Sequence, residues 1–336
     1  MPKLTSLPEY LTMLSQPALR EGLSPLLAAP YIAVDLTEVP SQERIEVSTW
    51  LPPCPTIAWV NAEQWQTERS DSQLTQAAKT FDLIVENPAQ LETLVDAIEA
   101  QPLACSTLAG LLRHNQRASV QDGLFAESLA YSTLQHSQGF KVWIDGRQRP
   151  QLDTSQSAVL ADENGGLLTL TLNRPQVHNA YSSAMRDTLC EYLSAAQSRL
   201  DLEEIHIRGA GPSFCAGGDL KEFGLAVDAG NAHLSRMTRS AGALLSQLQQ
   251  KTRAHLHGAC IGAGIELPAF MDEISAKSDT FFQLPEINMG LVPGAGGTVS
   301  ILRRIGLQRT AWMAISGARI SASQALAWGL IDRIED

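Results

Sequence analysis

Basic residues are in short supply in this 336-residue chain, where 25 lysines and arginines stand against 36 acidic residues for a formal charge of −11. That balance disfavours a polyanion-binding surface, so nucleic acid is not an expected partner. Cysteine is scarce too. Its five positions, Cys54, Cys105, Cys190, Cys215 and Cys260, are scattered with no C-x-x-C pair, which argues against a disulfide framework or a zinc knuckle and for reduced thiols. No run of about 18 apolar residues occurs, and the richest stretch, Leu23 to Leu36, is broken by Pro25 and Pro30, so no membrane span is expected. Met1 to Tyr10 lacks the basic-then-apolar order of a signal peptide. The expected location is the cytoplasm.

What is present is an ordinary globular composition, 44% hydrophobic and 18% charged, in a chain long enough for two domains. Tyr31–Leu36, Thr56–Val60 and Phe81–Val85 read as short strands. Asn87 and Pro88 suit an N-cap and first helical position, and Leu91, Leu94, Val95 and Ile98 recur at helical spacing, predicting a helix to about Ala100. Pro102 restarts the chain, and Leu108, Leu111 and Leu112, then Leu124, Leu129 and Leu134, predict two more helices closing near Gln138. The polar stretch Gly146 to Ser157 reads as a linker, dividing the chain into residues 1–157 and 158–336. The first part carries 10 basic and 18 acidic residues, the second 15 and 18, so the second accommodates an acidic ligand more readily.

Past the linker, Gly166–Leu172 alternates as a strand and Asn173-Arg174-Pro175 turns out of it. An amphipathic helix with Ala184, Thr188, Leu189, Tyr192 and Leu193 as its stripe, a strand over Ile205–Ile207 and a helix through Ala241, Leu244, Leu245 and Leu248 follow. This alternation of strand and helix implies an α/β fold.

Three glycine-rich turns then stand out: Phe214-Cys-Ala-Gly-Gly-Asp-Leu220, Gly258-Ala-Cys-Ile-Gly-Ala-Gly-Ile-Glu-Leu267 and Pro293-Gly-Ala-Gly-Gly-Thr298. None has phosphate-loop or dinucleotide spacing. Their small residues suit a backbone that approaches a ligand closely with N–H groups outward, and two such turns suit an oxyanion hole.

In order, NRPQVHNA (Asn173–Ala180), FCAGGDL, GACIGAGIEL, LPEINMGLVPGAGGT (Leu284–Thr298) and ALAWGLID (Ala325–Asp332) resemble the crotonase, or enoyl-CoA hydratase/isomerase, superfamily. The resemblance covers about residues 158–336 and implies a core of stacked ββα turns that binds an acyl-coenzyme A thioester, preceded by a mixed, mostly helical N-terminal domain. It implies that the N–H groups of Gly218 and Ala263 hold the thioester oxygen, each donor being worth about 3 kcal/mol in the transition state. Ala263 stands where many relatives have glycine and is expected to narrow the pocket. Glu266 and Glu286, separated as in the hydratase pattern, are implied to activate water and to protonate Cα, which requires their protonation states to differ. Pro285 and apolar Leu284 and Ile287 suggest that Glu286 leaves a buried strand end with a raised pKa. Ala216, Gly217, Asp219, Gly262, Gly264, Pro285 and Gly294 are implied substrate contacts.

The resemblance therefore implies hydration of a trans-2-enoyl-CoA to a 3-hydroxyacyl-CoA, with no metal and no cofactor beyond the coenzyme A of the substrate, in a homo-oligomer, a trimer or hexamer. Isomerisation, thioester hydrolysis and decarboxylation use the same enolate, and fold resemblance does not separate them. A non-catalytic CoA-binding or assembly subunit has no evident use for the two glutamates. His255 and His257 share a strand face but lack a third metal ligand, and read as hydrogen-bonded histidines. Cys215 and Cys260 read as packing residues, Asp219 as a helix cap, and Lys221 faces either a coenzyme phosphate or solvent.

Relatives carry a helical tail after the ALAWGLID-like segment, whereas this sequence stops at Asp336 and has 157 residues that short relatives lack. The expectation is that helices between Ala89 and Ser137 replace the tail and close the site. Pro268 and Arg253 depart from the family pattern without an account from sequence.

Overall fold

Three short apolar runs, with the polar pair Thr5–Ser6 at their edge, pair in parallel at the start of the chain. Strands β1 (Thr5–Ser6), β2 (Ile32–Asp35), β3 (Thr56–Trp59) and β4 (Leu83–Val85) form a sheet in that order, with helices α1 (Leu7–Ser15), α2 (Pro17–Arg20), α3 (Ala62–Thr67) and α4 (Gln73–Ala78) between them. The computed structural model describes residues 2–27, 30–38, 50–67, 72–147, 157–226, 228–248 and 251–336. The expected linker therefore lies mostly outside the described residues.

Side chains alternate across a strand, and this sheet uses both faces. Ala33, Ile57, Leu83 and Val85 join the main core. Ile32, Val34 and Ala58 instead meet Leu7, Tyr10, Leu14 and Phe81 in a smaller second core.

Four helices follow: α5 (Pro88–Ala100), α6 (Pro102–Asn115), α7 (Val120–Leu134) and α8 (Gln138–Ile144). The Asn87 side chain accepts from the Gln90 N–H at 3.0 Å, so α5 starts and ends as the spacing predicts. The block runs on to Ile144 rather than closing near Gln138. In α7 Leu124 and Leu134 are buried as expected, but Leu129 is exposed and Glu127, Ser128, Tyr131 and Ser132 are buried with them.

The second half contains β5 (Val159–Asn164), β6 (Leu167–Leu172), α9 (Ser183–Gln197), β7 (Glu204–Gly209), α10 (Ala229–Thr238), α11 (Ala241–Gln247), β8 (Thr252–Leu256), β9 (Ala259–Ile261) and α12 (Ala263–Glu266). It continues with β10 (Glu273–Lys277), β11 (Phe281–Gln283), α13 (Gly297–Ser316), β12 (Ile320–Ser321), α14 (Ala322–Trp328) and β13 (Arg333–Glu335). A six-stranded sheet runs β13-β10-β8-β7-β6-β5, and a three-stranded one β12-β11-β9. Strand β8 passes into β9 and β10 into β11, so these two turns lay one strand in each sheet before a helical segment, as the ββα expectation requires, whereas the turns after β6 and β7 supply only the isolated bridges at Tyr181 and Cys215.

The stripe of α9 sits one residue on from the expected one: Met185, Leu189, Cys190, Leu193 and Ala196 are buried while Ala184 is exposed. Two departures gain an account. Arg253 on β8 pairs across the sheet with Glu204 of β7 and Glu273 of β10. Pro268 opens a 3-10 turn over Pro268–Phe270 after α12 has already ended.

Helix α13, interrupted at Gly306 where φ is 79°, is buried on nearly all sides, which requires partners all round. Those partners include α5, α6 and α7 from the first half and α12 from the second. Leu91, Leu94, Leu108 and Leu112 accordingly belong to the same core as Ile305, Ala311 and Met313. The helices before residue 157 and the part after it thus share one interior, and the separate core lies under the outer face of the first sheet.

Candidate active site

The first two glycine-rich turns lie side by side. Cys215 and Cys260 form a parallel bridge, with the Ile261 N–H donating to the Cys215 carbonyl at 3.0 Å. A Cβ at Gly264 would lie 2.2 Å from that carbonyl oxygen, so the close approach needs glycine. Beyond the bridge, the Tyr181 N–H donates to the Gly217 carbonyl at 2.8 Å and the Asp219 N–H to the Tyr181 carbonyl at 3.0 Å. This pairing passes over the amide of Gly218. Ala263 opens α12, where first-turn N–H groups have no intrahelical acceptor. Both residues line a cavity of about 260 Å³.

The two glutamates converge over Gly262. A Cβ built there would lie 2.5 Å from Glu286 Oε1 and 3.6 Å from Glu266 Oε1. Gly262 also has φ 49°, ψ −120°, a conformation that favours glycine. Glu266 ends α12, and its Oε2 accepts from the N–H groups of Ala295 at 2.8 Å and Gly297 at 2.9 Å. Glu286 heads a 3-10 turn, Glu286–Met289, flanked by buried Leu284 and Ile287. Its Oε2 is buried with no hydrogen-bond partner among the described residues.

Their surroundings separate the two acids. Burial pushes Glu266 up to about 7, opposed by the main-chain N–H groups that favour its ionised form. Burial, and then the negative charge of Glu266, hold Glu286 well above the usual carboxylate range. Two main-chain N–H groups favour the ionised form of Glu266 while Glu286 Oε2 has no such donor among the described residues, an asymmetry of the kind that acid–base work on one substrate needs.

Of the implied substrate contacts, Asp219 and Gly294 line the cavity together with Gly218, Ala263, Glu266 and Glu286. Ala216, Gly217, Gly262, Gly264 and Pro285 do not; they are the frame behind it. The Ala216 N–H donates to the His178 carbonyl at 2.9 Å, and Pro285 precedes the turn carrying Glu286. Asp219 is no helix cap: Lys221 N–H donates to its Oδ1 at 3.1 Å within a turn, and its Oδ2 accepts from Arg174 Nη2 at 2.8 Å. His257 Nε2 lies 2.9 Å from the Gly211 carbonyl and His255 Nδ1 3.1 Å from Ser275 Oγ, so both histidines are hydrogen-bonded. No group of three or more potential metal ligands occurs among the described residues. Burial pushes the Cys215 thiol up to about 12, unlike an activated nucleophile.

The expectation that helices between Ala89 and Ser137 close over the site named none of the residues that do so. Leu124, Glu127, Ser128 and Tyr131 of α7 and Arg236 of α10 line the same cavity. A Cβ at Gly294 would fall 2.4 Å from the Tyr131 ring, so the third glycine-rich turn is pressed against α7. Glu127 is buried; its Oε1 accepts from the Gly296 N–H at 2.7 Å, and its Oε2 from the Thr298 N–H at 3.0 Å and Thr298 Oγ1 at 2.6 Å. Burial, then the charge of Glu266, push it up to about 8. The available signal was a carboxylate and two hydroxyls at helical spacing with Leu124 and Tyr131, polar groups on a stripe that a core would fill with apolar ones.

A family model described as enoyl-CoA hydratase/isomerase matches residues 162–335. Mevalonyl-coenzyme A hydratase of Aspergillus fumigatus is 33% identical over 181 residues, covering 54% of this chain and 67% of that protein. The 2,3-dehydroadipyl-CoA hydratase of Escherichia coli K12 is 34% identical over 178 residues, covering 53% of this chain and 69% of the other. Among solved structures, an enoyl-CoA hydratase from Thermoplasma volcanium GSS1 superposes with a TM-score of 0.50 at 30% identity, over 55% of this chain and 74% of that one.

Proposed function

The chain belongs to the enoyl-CoA hydratase/isomerase family of the crotonase superfamily, and from that membership we propose that it adds water across the double bond of a trans-2-enoyl-CoA. The observation that carries the reading is the meeting of Glu266 and Glu286 over Gly262, in a cavity that also exposes Gly218 and Ala263.

The thioester oxygen accepts from the main-chain N–H groups of Gly218 and Ala263. As negative charge grows on that oxygen, these fixed donors stabilise it more than they did the starting carbonyl, by about 3 kcal/mol each. Ionised Glu266 takes a proton from water as its oxygen bonds to Cβ. Protonated Glu286 delivers a proton to Cα as the enolate collapses. The substrate gains H and OH, and the two carboxyls exchange protonation states, to be reset by proton exchange before the next turnover.

The test is a panel of enoyl-CoA thioesters followed by loss of conjugated absorbance, with Glu266→Gln and Glu286→Gln beside the parent. Each amide should lower kcat at least about 100-fold, in keeping with the 10²–10⁴ ascribed to a positioned acid or base. Unchanged turnover in both variants defeats the mechanism. A product with its double bond moved and no water added assigns the same pair to isomerisation.

A further inference from the structure

The main-chain amides of the third glycine-rich turn point alternately to two carboxylates. Ala295 and Gly297 donate to Glu266 Oε2, at 2.8 and 2.9 Å. Gly296 and Thr298 donate to Glu127, at 2.7 and 3.0 Å, and Thr298 Oγ1 adds a third bond at 2.6 Å. Consecutive amides of one short segment cannot be satisfied by a single side chain when they face opposite ways, so holding one set fixes the direction of the other.

A second contact reinforces the hold. Asn115 of α6 donates from Nδ2 to Thr298 Oγ1 at 3.0 Å and to the Thr298 carbonyl at 3.2 Å. Gly123 brings α7 so near the start of α13 that a Cβ there would lie 2.8 Å from Val299 Cγ2. Helices α6 and α7 lie outside the 162–335 stretch matched by the family model. A segment not matched by that model thus grips the turn on which Glu266 depends.

We infer that Glu127 is a positioning residue for Glu266: by accepting from Gly296 and Thr298 it aims the Ala295 and Gly297 amides at the Glu266 carboxylate. The inference deepens the proposed mechanism and rests on it for the role of Glu266, though not for the geometry.

Two effects of removing Glu127 have opposite signs. If Glu127 acts by positioning, its loss slackens the amides that favour ionised Glu266, and the Glu266 midpoint rises. If it acts only as a neighbouring negative charge, its loss relieves repulsion and the midpoint falls or stays. The other groups facing the two carboxyls are Glu286, Tyr131 of α7, Arg236 of α10 and Cys215, all retained in the variants.

The experiment titrates Glu266 in the full-length protein without substrate, by carboxyl-band difference infrared spectroscopy with Glu266→Gln as the reference. Glu127→Gln should raise the midpoint by about half a pH unit or more. Thr298→Val, which keeps the main-chain N–H but removes the hydroxyl donor, should raise it by less, and it carries the test alone if Glu127→Gln does not fold. In turnover, Glu127→Gln should lower kcat about ten-fold or more with KM within about three-fold. A midpoint that is unchanged or lowered in the folded variants overturns the inference, whatever the melting temperature does. Absence of hydration by the parent would defeat the proposed function while leaving the infrared test intact.

Discussion

At the scale of single residues, the site depends on side chains that are missing as much as on those present. Gly262→Ala places a methyl 2.5 Å from Glu286 Oε1, a clash, and strains a φ of 49°. Activity should fall at least about ten-fold with the protein still folded, as measured by turnover beside circular dichroism. Ala263→Gly is the contrasting case, because the proposed donor is the main-chain N–H and survives. Its kcat should stay within about three-fold of the parent, and a hundred-fold loss would remove Ala263 from the oxyanion role. The placing of Glu266, Glu286, Gly218 and Ala263 around one cavity was legible because each is set in a short motif whose neighbours announce a turn. Glu127 was not, since a lone acid in a helix usually faces water and only its phase against Leu124 and Tyr131 marks it as interior.

At the scale of elements, legibility followed the strength of local rules. Asn87 and Pro88 fixed the start of α5 because cap geometry is short-range, and Asn87→Ala should cost about 1 kcal/mol in a denaturant titration. The stripe of α9 was misread by one position because Cys190 and Met185 are apolar without being conspicuous, while Tyr192 and Thr188 looked more apolar than their neighbours. Contacts between elements left no trace at all. Arg113 of α6 reaches Asp82, just before β4, and also donates to the carbonyls of Pro52 and Cys54, at 2.5 and 3.0 Å, tying the first sheet to the helices. Asp82→Ala leaves that guanidinium nearly buried without its anion and should cost about 3–5 kcal/mol, readable as a lowered denaturant midpoint.

At the scale of the whole molecule, three carboxyls held above their ordinary range make stability depend on pH. The folded state binds their protons more tightly than the unfolded chain does. The stabilisation is complete below the unfolded value of 4.5 and is lost as pH rises through about 7 for Glu266 and about 8 for Glu127. Each adds a slope of about 1.4 kcal/mol per pH unit inside its window. Melting temperature should therefore decline from pH 5 to pH 8, and less steeply in Glu127→Gln; equal slopes would contradict the assignment. The shared interior predicts more. Deleting residues 1–150 strips α5, α6 and α7 from α13 and should yield an aggregating, inactive product by size-exclusion chromatography, whereas a soluble, fully active remainder would show the interior to be divisible after all.

The alternating amides of residues 295–298 also bear on how such a chain can diverge. A hybrid joining this N-terminal half to the corresponding half of a shorter relative would inherit a glutamate and an asparagine shaped for one particular turn, and a foreign turn would meet them out of step. The two halves are thereby matched as lock to its own key, and exchange by recombination should succeed only when Asn115, Glu127 and Thr298 travel together.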